Sequence, residues 1–349
     1  MNVETSSNQS MRAAQRTSDL VIAVVIPAFR VREHVLGVIS RIGPECTAIY
    51  VVDDACPDQS GSFVEANCGD SRVRVLRHET NQGVGGAVMT GYQQAIADEA
   101  DIIVKIDGDG QMDPSLLPQF VEPISRGDAD YTKGNRFFDL RGIGQMPLLR
   151  RVGNLGLSFM AKASTGYWDI FDPTNGYTAV HRSVASLLPM ESISRRYFFE
   201  TDMLFRLNTF RATVVDVPMD SRYGDEVSNL KVSKIFSEFL YKHLVNLTKR
   251  LLYNYYLRDL SIASFELAAG VAMLVAGTLV GGVGWLRSIE SGQVASTGTV
   301  MIPVVLVMLG VQLVLAFLAY DIANVPRYPL QHRLRGAGRR RPTITGETK

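Results

Sequence analysis

Cysteine is scarce in this chain of 349 residues, which has only Cys46, Cys56 and Cys68. An odd number without metal-ligand spacing excludes a disulfide framework and reads as reduced thiols with no role. Net charge is nearly absent too, 36 Lys and Arg standing against 35 Asp and Glu. No long-range field therefore marks a nucleic-acid binder. Residues 1–19, rich in Ser, Thr, Asn and Gln, lack the apolar core of a signal peptide and read as a mobile leader. No Gly-Lys-Ser/Thr follows the glycine-rich stretch from Asn81 to Gly91 (NQGVGGAVMTG), which excludes a P-loop. Gly83, Gly85 and Gly86 there either shape a turn or bring backbone amides close to a phosphate.

What is present is unevenly spread. Leu267 to Leu286 is a run of twenty residues without a charge, and Val300 to Tyr320 is a run of twenty-one. Each is close to the roughly 20 residues that cross a hydrocarbon core, so 262–286 and 300–320 read as transmembrane helices joined by an external loop, 287–299. The tail, 321–349, carries Arg327, Arg333, Arg335, Arg339, Arg340 and Arg341, with no Asp or Glu between Ile322 and Gly346. By the positive-inside rule this tail is cytoplasmic and attracted to anionic membrane lipids. With two spans, the large N-terminal part lies on the same side. Residues 231–258 alternate apolar and basic positions at helical spacing. They either lie in the membrane interface or pack on the domain before them. Gly277 and Gly281 have GxxxG spacing and offer a face for homo-oligomer formation through the spans.

The remaining stretch, 20–230, alternates strand and helix signals, which argues for a mostly parallel sheet with helices on both faces. Strands are expected over Val21 to Phe29, Ala48 to Val52, Val73 to Leu76, Ile102 to Ile106 and Asp130 to Lys133. Beyond Arg141 the pattern is irregular. Two strand ends are acidic: Asp53 and Asp54 close the second, and IIVKIDGDGQMDP places Asp107 and Asp109 just after the fourth. Such pairs either close polar turns or face the crevice beyond the carboxyl ends of a parallel sheet, where ligands bind. Two acids one residue apart suit a hard divalent ion that meets a diphosphate. Glu200 and Asp202 interrupt an apolar, helix-like run, Phe198 to Leu207, and at least one is expected in a polar cleft.

Taken together, VVIPAF (Val24 to Phe29), VVDDACPD (Val51 to Asp58), NQGVGGA (Asn81 to Ala87), DGDGQ (Asp107 to Gln111), GNR (Gly134 to Arg136), DPTNGY (Asp172 to Tyr177) and FETD (Phe199 to Asp202) follow the order and spacing of inverting family 2 glycosyltransferases. More narrowly, the chain resembles the branch of dolichol-phosphate mannose synthases and polyprenyl-phosphate glycosyltransferases. The resemblance implies a Rossmann-like α/β fold of GT-A type, followed by amphipathic interfacial helices and two transmembrane helices. It also implies a nucleotide-diphosphate sugar donor and a polyprenyl phosphate acceptor.

By the same resemblance Pro27, Asp53 and Asp54 would line the nucleoside pocket, with Gly83 and Asp107 on the donor. Asp107, Asp109 and Gln111 would hold Mg²⁺ or Mn²⁺, as oxygen ligands without a His/Cys cluster suit a hard ion. Arg136, Arg150 and Arg222 correspond to family arginines for the acceptor phosphate, Arg136 with a catalytic part. Asp202, ahead of Glu200, stands where the family has its catalytic acid. A phosphate monoester is already an anionic nucleophile at neutral pH, so Asp202 is expected to position groups and not to act as a base. The chain departs from the pattern at Arg30-Val31, where the family commonly has Asn-Glu, so the base is not carried over; at Asn154, where a serine usually follows the arginine at 150; and at Met112, where a His is common. The competing readings are a transferase acting on a sugar hydroxyl and a non-catalytic membrane scaffold.

Overall fold

β-Branched residues form the spine of the protein. In the computed structural model, which describes residues 20–136, 148–219 and 232–338, the strand Ile22–Ala28 (β1) has Ile22 to Ile26 buried on both faces. In chain order there follow α1 (Val35–Ile39), β2 (Ala48–Asp53), α2 (Ser60–Asn67), β3 (Val73–Arg77), α3 (Val84–Ala97), β4 (Ile102–Lys105) and α4 (Leu117–Arg126). Then come β5 (Tyr131–Asn135), α5 (Leu148–Thr165), β6 (Thr178–His181), α6 (Phe199–Thr209), β7 (Val214–Pro218) and α7 (Val232–Leu252). A π-helical turn, Tyr253–Arg258, leads to α8 (Ile262–Ser291), α9 (Thr297–Ala323) and α10 (Leu330–Gly338). The leader 1–19, Arg222 and residues 339–349 of the tail lie outside the described residues, as does the side chain of Arg150.

The strands make one seven-stranded sheet in the order β3-β2-β1-β4-β6-β5-β7. All neighbours are parallel except β6, which runs antiparallel to both β4 and β5. From β1 the chain builds outward to β2 and β3, then returns to place β4 on the other side of β1. That reversal is a topological switch point, and it opens a crevice beyond the carboxyl ends of β1 and β4. Register brings Ala28 beside Asp53 and Val25 beside Lys105. On one face, Ile22, Val24 and Ile26 pack with Val35, Val38, Phe120, Val121 and Ile124 in the main core, where Phe120 stacks on Tyr177 at 3.9 Å between ring centroids. Burial of this apolar surface is the main force holding the helices to the sheet. On the other face α3 comes close enough that a side chain at Gly91 would strike Val25.

α5, β6 and β7 lie in the stretch whose pattern is irregular. The strands have four and five residues, too few for a period to show, and β7 carries Asp216 in its middle.

The chain divides into two units, 1–246 with 326–349, and 247–325. In the first, the part of α7 up to Asn246 packs on the sheet domain. Phe239 meets Phe198 edge to face, His243 Nδ1 lies 2.7 Å from Ser164 Oγ, and Asn246 Nδ2 donates to Asp202 at 3.0 Å. α10 is fastened to the same unit by the Asp130 carboxylate, which accepts the backbone N–H of Leu330 at 2.6 Å, of Gln331 at 2.8 Å and of Thr213 at 2.8 Å.

In the second unit α8 and α9 pack through Gly270, Gly277 and Gly310. A side chain at Gly277 would meet the Pro303 carbonyl, and one at Gly310 the backbone of Leu274. Gly277 and Gly281, offered by the sequence for self-association, thus both face α9 of their own chain. Both helices exceed the apolar runs read from sequence, and 292–296 alone separates them. α9 takes in Asp321, whose carboxylate receives Arg250 Nη1 at 2.6 Å, Arg250 Nη2 at 2.8 Å and the Tyr255 hydroxyl at 2.5 Å.

Candidate active site

A cavity of about 740 Å³ opens at the switch point. Pro27, from the end of β1, and Asp54, just past β2, line it, together with Lys105, Asp107 and Asp109 from the end of β4. Gly83, Thr174, Arg196, Tyr197, Glu200 and Phe239 complete much of the wall.

The two acids after β2 face different ways. Asp53 accepts the N–H of Cys56 at 2.8 Å and of Gly61 at 2.7 Å, which spends both oxygens on the turn into α2 and leaves the residue off the cavity wall. Asp54 is on the wall. Its carboxylate accepts the N–H of Gln82 and of Gly83, both at 2.7 Å, and sits 2.7 Å from His78 Nδ1. The glycine-rich turn is therefore structural in large part. Gly83 adopts φ +83, and the Gly85 N–H donates to the Arg195 carbonyl at 2.9 Å. Glycine here lets the segment before α6 approach, and that segment carries Arg196 and Tyr197 to the cavity.

Asp107 and Asp109 both line the cavity. Asp109 Oδ1 accepts the backbone N–H of Gln111 at 3.0 Å, whereas Gln111 itself is not among the lining residues. Among the described residues no three His, Cys, Asp or Glu side chains converge on one point. Two carboxylates in an open cavity fit a hard ion that completes its shell with diphosphate oxygens and water, and do not make a self-sufficient cage.

Asp202 and Glu200 have different surroundings. Asp202 is buried, with Oδ2 accepting the Ser194 N–H at 2.9 Å and Oδ1 accepting Asn246, while Arg206 lies 3.7 Å away along the helix. It is absent from the cavity wall, which Glu200 reaches instead. Arg136 forms a two-pronged pair with Asp172, Nε to Oδ2 at 2.7 Å and Nη2 to Oδ1 at 3.1 Å, and is not among the lining residues either.

The residue that the sequence reading passed over is Lys105. Its side chain is 1% exposed, and its ammonium lies 2.7 Å from Asp107 and 3.4 Å from Glu200. Burial pulls its pKa down, but Asp107 and Glu200 outweigh that and hold it above the ordinary lysine range. Lys133, on β5 and bonded to the Asn175 carbonyl, has no such close acid among the described residues, and burial lowers it to about 8. A lone lysine inside IIVKIDGDG was the available signal.

Comparison with known proteins agrees with this geometry. Residues 23–188 match the family model described as glycosyl transferase family 2. The UDP-N-acetylglucosamine–dolichyl-phosphate N-acetylglucosaminyltransferase of Methanococcus voltae is 28% identical over 222 residues, covering 60% of this chain and 88% of that protein. The undecaprenyl-phosphate mannosyltransferase of Micrococcus luteus is 29% identical, covering 57% and 82%. The polyprenol monophosphomannose synthase of Mycolicibacterium smegmatis is 27% identical, covering 60% and 78%. Among solved structures, glucosyl-3-phosphoglycerate synthase from Mycobacterium tuberculosis, in complex with Mn²⁺, uridine diphosphate and glucosyl-3-phosphoglycerate, matches with a TM-score of 0.51 at 21% identity, over 68% of this chain and 82% of that one. That likeness is one of fold. Sequence, sheet order and cavity agree on a glycosyltransferase enzyme with the GT-A fold, whose residues 23–188 are similar to glycosyl transferase family 2.

Proposed function

We propose that the protein moves one sugar from a nucleotide-diphosphate sugar to polyprenyl phosphate, dolichyl or undecaprenyl, at a membrane surface. The observation that carries this reading is the cavity at the switch point, which Asp107 and Asp109 line together with Pro27 and Asp54. The relatives named for prenyl-phosphate transfer support the choice of acceptor. The acceptor phosphate would attack the anomeric carbon as an anion, so a new C–O bond forms on one face while the bond to the nucleoside diphosphate breaks on the other, with inversion. Mg²⁺ or Mn²⁺, when bound by Asp107 and Asp109, would neutralise the departing diphosphate. Arg136, oriented by Asp172, is assigned to the acceptor phosphate with Arg150 and Arg222, and Arg196 joins them because it lines the cavity.

α8 and α9 are long and apolar enough to cross a membrane, and in them only 11% and 17% of the most apolar stretch is buried. The docking of Leu330 and Gln331 on Asp130 supports an even number of crossings, since it joins the segment after both helices to the domain before them. With the basic tail, this favours a cytoplasmic catalytic domain.

Glu200 on the cavity wall favours a second reading, transfer to a sugar hydroxyl, because a hydroxyl needs a base and a phosphate does not. One experiment separates the two. Membranes containing the protein are given a panel of labelled nucleotide sugars, with and without polyprenyl phosphate and a chelator. The proposal expects label in the organic phase that depends on both added lipid and metal. Label only on lipid-linked saccharide favours the hydroxyl reading, and no lipid product with any donor contradicts both.

A further inference from the structure

The cavity contains a cation of its own. Lys105 ends β4, a strand otherwise made of Ile102, Ile103 and Val104, and a lysine side chain 1% exposed is costly to keep charged unless it is paired. Its partners come from different elements: Asp107 from the turn after β4 at 2.7 Å, and Glu200 from the first turn of α6 at 3.4 Å. The backbone of the DPTNGY turn closes over the pair, since a side chain at Gly176 would fall on Asp107 Oδ2 and Lys105 Nζ. Lys105, Asp107, Asp109 and Glu200 all line the cavity. Two carboxylates, Asp107 and Glu200, thus share one fixed positive charge, with Asp109 in the same cavity.

We propose that Lys105 is a positioning residue that occupies Asp107 in the donor-free enzyme, so that a divalent ion is held strongly only when a nucleoside diphosphate arrives with it. An ion entering alone must displace the ammonium from Asp107 while Lys105 stays buried next to it, a like charge at close range. The oxygens of a diphosphate reverse the balance, because they supply negative charge and ligands that satisfy both cations. Metal and donor then bind with positive coupling, and by linkage each strengthens the other by the same factor. The bound-metal advantage is thereby reserved for the loaded site, which would otherwise trap ions without substrate. This inference rests on Asp107 and Asp109 being the metal and diphosphate site.

The test is Mn²⁺ binding to the whole 349-residue chain in detergent, read by paramagnetic resonance of the free ion, without nucleotide and with uridine or guanosine diphosphate. The native protein should bind Mn²⁺ alone weakly and bind it at least about tenfold more tightly with whichever diphosphate it accepts. Lys105→Met should tighten binding of Mn²⁺ alone by about fivefold or more and shrink the coupling, whereas Lys105→Arg, which keeps the charge, should resemble the native protein. Glu200→Gln leaves Lys105 to Asp107 alone and should weaken binding of Mn²⁺ alone, which keeps the proposal testable if Lys105→Met does not fold. Unchanged affinity for Mn²⁺ alone in folded Lys105→Met, or in Glu200→Gln if only that variant folds, overturns the proposal. Asp109→Ala separates the two levels. If it leaves Mn²⁺ binding intact, the metal site itself is misplaced and this inference falls with it; if it abolishes binding while Lys105→Met changes nothing, only the role of Lys105 fails.

Discussion

Asp53 and Asp54 are neighbours with opposite duties, and they set the pattern for the whole site. Asp53 spends its carboxylate on two buried amides, so Asp53→Ala should cost about 2 to 4 kcal/mol in chemical denaturation, with donor affinity in the surviving folded protein nearly native. Asp54→Ala should instead weaken donor binding, because Asp54 lines the cavity and pins the turn that carries Gly83. Asp202 is comparable to Asp53. Asn at this position can accept from only one of Ser194 N–H and Asn246 Nδ2, so Asp202→Asn should cost about 1 to 2 kcal/mol and leave turnover within roughly tenfold of native. Complete loss of turnover in a folded variant that still binds donor and acceptor would contradict a positioning role. The sequence shows that acids stand at these strand ends and at the start of α6. It does not show which of two adjacent acids turns to the crevice, since that depends on where later loops present their amides. Lys105 escaped notice for the same reason: its partners lie two and ninety-five residues away.

Among elements, the parallel half of the sheet was legible because β1, β2 and β4 are dense in β-branched residues and end at Pro, Asp or Gly. β6 and β7 were not, being short and without period, and the antiparallel insertion of β6 between β4 and β5 is fixed by tertiary pairing alone. α7 shows a helical period clearly, but its apolar stripe has two uses. Phe239 packs on the catalytic domain, whereas Leu244 and Leu252 are each 52% exposed. His243 on this helix is buried, and burial alone presses its pKa down to about 4 from 6.5. A depressed histidine adds stability that is fully present above pH 6.5 and is lost as pH falls toward 4, because the unfolded chain takes up the proton first. Unfolding free energy should therefore decline across that window, and His243→Gln should flatten the decline. α10 rests on Asp130, whose two oxygens serve three amides. Asp130→Ala should cost on the order of 3 kcal/mol and release the segment after Val325 to limited proteolysis.

For the whole molecule the sequence conveyed the division between an α/β domain and an apolar helical pair, because chain-long composition is what separates them. What it could not convey is how each part is locked. The Arg250 and Asp321 pair is buried within the second unit, and neither residue lies inside an uninterrupted apolar run. The joining of α10 to Asp130 spans two hundred residues of sequence. The proposed function joins a metal and diphosphate site at Asp107 and Asp109 to a prenyl phosphate acceptor. The most direct test uses purified protein with polyprenyl phosphate, Mg²⁺ and the donor found in the membrane panel, with Asp109→Ala alongside. Native protein is expected to yield sugar-labelled prenyl phosphate and Asp109→Ala at least about a hundredfold less. Equal product from the two proteins, or none from the native protein with any nucleotide sugar, would contradict it.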